Sequence, residues 1–168
     1  MCPILFVVLL IFINFPIQFK ISTMKFIKFT FAILLTLVVF GAKAQEKKEQ
    51  KLIETLEKFK LTLIDPNEST LYTLTSPKLS YGHSAGAVED QKTFIDNMVN
   101  GKSDFVTINI ADQTVEVEGN MGYVRHTFNA VTSTDPKIAP IKLKIFYVWV
   151  FEAGARKLRA RQAVKILI

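Results

Sequence analysis

Cysteine is all but missing: the single copy, Cys2, sits in an apolar leader. The chain beyond that leader has no disulfide, no thiolate nucleophile, no acylation site and no cysteine ligand for zinc, so its core alone must hold it together. Histidine is almost as scarce. His83 and His126 are the only two. They lie far apart in sequence, without the spaced Cys, Asp or Glu partners of a metal site, and neither a metal nor a cofactor is expected. No glycine-rich phosphate loop and no G-x-S-x-G elbow occurs, which removes the usual signals of nucleotide binding and of serine hydrolases. No cluster of Lys and Arg interleaved with aromatics stands out beyond the leader. The formal charge of +6 falls to +2 once Lys20, Lys25, Lys28 and Lys43 of the leader are set aside, so no nucleic-acid partner is assigned.

The leader has a recognisable grammar. Met24 opens a secretory signal over residues 24–44: Lys25 and Lys28 form the positive region, Phe29–Gly41 the apolar run, and Ala42-Lys43-Ala44 the small-x-small cleavage site. Cleavage before Gln45 leaves 124 of the 168 residues, the length of one domain. Pro3–Phe15 is a second apolar run, and residues 1–23 read as a mis-assigned upstream start. The rival reading is a membrane hairpin, but each run is shorter than the ~20 apolar residues of a spanning helix. The expectation is export to the periplasm or medium, with a soluble protein and no membrane contact after cleavage.

Gln45–Lys51 is polar and reads as a flexible lead-in to a domain over residues 52–168. Leu52, Ile53, Leu56, Phe59 and Leu63 recur at helical spacing and predict an amphipathic helix to about Ile64. Asp65-Pro66-Asn67-Glu68 predicts a restart with Asp65 as cap, and Ser76-Pro77 ends the short helix. A strand Lys78–His83, a turn Ser84-Ala85-Gly86 and a helix Glu89–Asn100 follow, the last with Phe94, Ile95, Met98 and Val99 inward and Gly101 closing it. Phe105–Ile110 and Thr114–Glu118 are strands, either bulged or paired through Asp112-Gln113, and Tyr123–Val131 is the next. The last hairpin is the strongest signal. Every odd position from Ile141 to Phe151 is apolar or aromatic, Glu152-Ala153-Gly154-Ala155 turns the chain, and Lys157–Ile166 returns. The fold class is α+β, with helices first and a curved antiparallel sheet wrapped around them.

Several short motifs carry a resemblance. Tyr81-Gly82-His83-Ser84-Ala85-Gly86, Lys92-Thr93-Phe94-Ile95, Val124-Arg125-His126, Val148-Trp149 and Ala160-Arg161-Gln162-Ala163 occur in order. Together with the element order they resemble the nuclear transport factor 2-like superfamily, the group of ketosteroid isomerase and the SnoaL-type cyclases. Within it they are similar to an uncharacterised secreted subgroup with H-S-x-G, V-R-H and A-R-Q-A motifs. One position departs: Arg156 stands where relatives place a tryptophan, leaving Trp149 as the only one. The resemblance implies a cone-shaped sheet with an apolar pocket, His83 near its mouth, and a homodimer. It does not imply a particular activity.

Strand parity then selects candidates for ligand binding. His126 shares a face with Val124 and Phe128, and Gln162 shares one with Leu158, Ala160 and Val164. Tyr147 and Trp149 share a third and either wall a pocket or fill core. His126, Gln162 and His83 make the few-polar-groups pattern of a ligand site, the five residues together are the ligand-binding candidates, and the leading expectation is a small, largely apolar ligand. Each also has a bland reading, since buried polar side chains often only satisfy backbone. Arg161, opposite Gln162 by the same count, reads as a solvated charge. An isomerase base is missing: Asp65 is a cap, Asp90 and Asp96 lie on a polar helix face, and Glu116 and Glu118 face water. A lyase or isomerase would have to use His83 and His126 as acid and base. A third reading is a non-enzymatic dimer module joined through an outer face with Arg125, Arg159 and Arg161.

Overall fold

The computed structural model describes residues 45–101, 105–133 and 141–166. The start codon, signal peptide and cleavage site expected over residues 1–44 lie outside them, as does the loop 134–140. The chain is helical throughout 45–64 (α1). Leu52, Leu56, Phe59 and Leu63, each under 8 % exposed, form the stripe that the helical period requires. The helix takes in Gln45–Lys51, where the composition suggested a lead-in without structure. Glu, Gln and Lys are strong helix formers, and the Gln45 side chain donates to the Val117 carbonyl and to Glu49.

The second helix, α2 (Glu68–Leu74), is capped by Asn67 and not by Asp65. The Asp65 amide still bonds the Leu61 carbonyl, so α1 consumes that residue, whereas Asn67 Oδ1 accepts the Thr70 amide at 2.9 Å. Strand β1 (Thr75–Gly82) starts earlier than its polarity suggests. Pro77 is accommodated because pairing with the last strand is interrupted between Thr75 and Ser80. A tight turn closed by His83 and Ala87 leads to β2 (Val88–Glu89), too short to announce itself in sequence. The third helix, α3 (Gln91–Val99), begins after Glu89, which belongs to β2. Its cap is Asp90, and Phe94, Ile95 and Met98 are buried. Val99, expected inward, is 46 % exposed.

Strands β3 (Phe105–Glu118), β4 (Met121–Thr132), β5 (Ile141–Glu152) and β6 (Ala155–Lys165) complete one sheet in the order β2-β1-β6-β5-β4-β3. Every pairing is antiparallel except β1 with β6, which is parallel. The sheet is curved. The two segments expected on either side of Asp112-Gln113 are one strand with a bulge. Register shifts between Ala111 and Thr114, with Asp112 at φ 52°. That extra length keeps both Ile108 and Val117 on the buried side.

A second bulge lies in β6. Trp149 pairs with Leu158 and Val148 with Ala160, so Arg159 is one residue more than β5 can match. Beyond it the faces exchange. Leu158, Arg161 and Ala163 are buried, whereas Val164 is 58 % exposed and Gln162 is exposed beside it. The expectation that Gln162 faces inward and Arg161 outward is therefore reversed. The remaining inward positions follow the simple alternation: Ile145, Tyr147 and Trp149 on β5, Val124, His126 and Phe128 on β4.

Helix α1 crosses this inner surface closely enough to use the absence of a side chain at Gly122. A Cβ there would stand 2.5 Å from Leu52 Cδ2, and Leu52 is fully buried. Gly122→Val is expected to destabilise the fold by about 1–3 kcal/mol, read as a lower urea midpoint at unchanged slope. An unshifted midpoint would show that α1 does not rest on that strand.

Candidate functional site

A cavity of about 360 Å³ opens between α1 and the inner face of β3–β5, within the size range of small-molecule sites. Leu56, Phe59 and Leu63 of α1 and Ile108 and Ile110 of β3 give it apolar walls. Its exposed edge carries Glu57, Asn109 and Gln113; its buried floor is His126 and Tyr147. The alternation of β4 puts His126 there, and that of β5 puts Tyr147 beside it, ring centroids 5.2 Å apart at 65°.

Neither nitrogen of His126 has a hydrogen-bond partner, although the residue is only 4 % exposed. Burial, helped by the positive charge of Arg161, lowers its pKa to about 4. The ring is neutral at physiological pH and offers one donor and one acceptor to whatever enters the cavity. Burial pushes the Tyr147 hydroxyl above its ordinary range, neighbouring Tyr81 adds to this, and the positive charge of Arg161 opposes.

Arg161 is the residue that parity counting placed on the wrong side. Its Nη1 donates to the Gly82 carbonyl at 2.8 Å, its guanidinium carbon lies 4.4 Å from the centre of the Tyr81 ring, and its Nε has no partner. Tyr81 in turn stacks on Phe94 at 4.2 Å. Arg161, Tyr81, Tyr147 and His126 thus form one buried polar layer under the cavity. Arg161 was not among the sequence candidates for that layer and Tyr81 entered only as part of a motif, without a role; no residue type marks the bulge that brings the arginine in.

The other candidates lie elsewhere. Partly exposed, His83 has Nε2 3.2 Å from Glu89 Oε2, at ion-pair distance but without hydrogen-bond alignment. It borders Tyr81, with ring centroids 5.3 Å apart, and does not line the cavity. Trp149 is fully buried, edge-on to Phe59 at 5.6 Å, and fills core. Gln162, on the outer side, donates to the carbonyls of His83 and Ala163. Outer-face Arg125 lies 4.1 Å over the Phe146 ring. Among the described residues no group of three His, Cys, Asp or Glu could hold a metal ion.

Neither a family model nor a curated protein matches the sequence. Solved structures do match the architecture. A protein from Rhodospirillum rubrum, described as nuclear transport factor 2-like and of unknown function in nutrient uptake, is 18 % identical, with 69 % of this chain and 98 % of that one covered at TM-score 0.64. The fold is nuclear transport factor 2-like. A nuclear transport factor 2-like protein from Cytophaga hutchinsonii gives 15 % identity, coverage of 68 % and 95 %, and TM-score 0.64. The calcium/calmodulin-dependent kinase II hub of S. rosetta gives 16 %, coverage of 70 % and 96 %, and TM-score 0.59. Identities this low speak for the nuclear transport factor 2-like fold and leave chemistry to the site.

The lowered pKa of His126 has a stability consequence. Its folded value of about 4 lies below the ordinary 6.5, so the unfolded chain binds the proton first as pH falls. This contribution is complete above about pH 6.5 and is lost progressively toward pH 4, by up to roughly 3 kcal/mol. The His126 C2–H resonance is expected to keep its neutral shift down to about pH 5, and His126→Phe to flatten the acid decline in stability. A resonance moving near pH 6.5 would contradict the buried placement beside a cation.

Proposed function

We propose that this chain is a small-molecule-binding domain whose nuclear transport factor 2-like cavity takes a largely apolar ligand. The observation that carries this reading is the unpartnered imidazole of His126 at the floor of a cavity whose inner walls are apolar and whose edge is polar. A buried polar group without a partner is costly in a finished core. A ligand carbonyl, hydroxyl or carboxylate at that point would satisfy it, while Leu56, Phe59 and Ile108 cover the apolar remainder. Of the five residues named from sequence, His126 and Tyr147 are proposed as ligand contacts. His83 is proposed as support for the turn beside the polar layer, Trp149 as core, and Gln162 as a clamp on that turn. Export through the segment Met24–Ala44 and assembly as a homodimer belong to the same proposal. The first is motivated by the signal-like pattern, the second by the resemblance and by exposed apolar positions such as Val164 on the sheet.

The neutral dye N-phenyl-1-naphthylamine is expected to bind with a saturable rise in fluorescence. Ile110→Trp, which fills the cavity from its β3 wall, should weaken that binding at least about tenfold with little change in melting temperature. A wild-type protein that gives no saturable response would remove the ligand-binding reading.

A further inference from the structure

The chemistry of the occupant follows from a charge balance, and the argument rests on the cavity reading above. Among the described residues Arg161 is the one formally charged side chain in the buried set, at 8 % exposure, and that set contains no Asp or Glu. No ion pair compensates it among those residues: the bridges there are Lys60–Glu57, His83–Glu89, Lys92–Asp96 and Lys144–Asp112. What the guanidinium has is the Gly82 carbonyl and the Tyr81 ring, with Tyr147 opposite it on β5 and Nε unpartnered. Those groups stabilise a cation without neutralising it, and a buried charge lacking a counter-charge is costly.

The location of the charge narrows the answer. Of the two residues of the cavity floor, Tyr147 is the register partner of Arg161 across β5 and β6, and His126 stands beside Tyr147 with ring centroids 5.2 Å apart; both feel the charge of the guanidinium, as does Tyr81. At the rim, Glu57 is paired with Lys60, so the entrance contributes no net charge. One positive charge without an ion-pair partner therefore lies under the chamber; Glu89, the carboxylate that acts with it on Tyr81, stands at ion-pair distance from His83 instead. We propose that the ligand is an apolar molecule bearing a single carboxylate, its carboxylate seated at the floor against His126 and Tyr147 within the field of Arg161. A neutral carbonyl would leave the cation unbalanced, and a phosphate dianion would leave a second charge buried. The neutral imidazole gives the carboxylate an N–H donor without adding a charge of its own.

The test compares matched probes on the full-length protein by isothermal titration calorimetry: decanoate against decanol, and naphthalene-2-carboxylate against naphthalene-2-carboxamide. Each acid is expected to bind at least about tenfold more tightly than its neutral partner. Arg161→Gln should reduce that preference to about twofold or less. Should Arg161→Gln not fold, Tyr147→Phe, which keeps the ring, is expected to weaken the acid more than the amide. Equal or tighter binding of the neutral probes overturns the carboxylate assignment and leaves the cavity reading standing. A preference for acid that survives in Arg161→Gln overturns the role of the arginine. No binding of any of the four overturns the cavity reading together with it.

Discussion

Between Leu158 and Ala160 the last strand carries one residue that its neighbour cannot pair, and the inner surface of this protein depends on that surplus. Side chains alternate across a sheet, so one unpaired residue exchanges the faces of everything beyond it. Without Arg159, a glutamine and a valine would look toward α1, and the arginine would stand in water. With it, Leu158 completes the core beneath Trp149 and Arg161 enters the buried layer. Position β6 is decisive because it joins the two parts of the sheet. It pairs antiparallel with β5 and parallel with β1, so its face decides what meets Tyr81 on one side and Tyr147 on the other.

The buried layer combines two ordinary devices with one unusual feature. Phe59, Tyr147 and Trp149 pack edge to face around the foot of α1, and Tyr81 stacks on Phe94 of α3, so aromatic contacts tie both helices to the sheet. Into this apolar arrangement the chain inserts a guanidinium and an imidazole whose hydrogen-bonding capacity is only partly used. A sequence under selection for stability alone would fill such positions with hydrocarbon. Their presence next to a chamber of small-molecule size is the observation on which the binding proposal rests.

Legibility followed periodicity. The stripe Leu52, Leu56, Phe59, Leu63 and the run Ile145, Tyr147, Trp149 could be read because neither is interrupted, and His126 was placed correctly because β4 alternates without a break around it. Gln162 failed for the converse reason: the count to it passes through Arg159, and neither a glycine nor a turn residue marks that bulge. The bulge in β3 was visible as an alternative because Asp112 interrupts the apolar alternation there. Asn67 displaced Asp65 as cap because α1 ran on into Asp65, a tertiary outcome that local spacing does not contain. Tyr81 escaped notice because its partners, Arg161 and Phe94, come from elements distant in sequence.

The central claim is the face assignment beyond Arg159, and thiol accessibility measures it directly. In a Cys2→Ser background, single cysteines introduced as Gln162→Cys, Ala163→Cys and Val164→Cys are treated with a maleimide under native conditions. The account predicts rapid modification at 162 and 164 and protection at 163 until the protein is unfolded. Rapid modification at 163 with protection at 162 and 164 would contradict it.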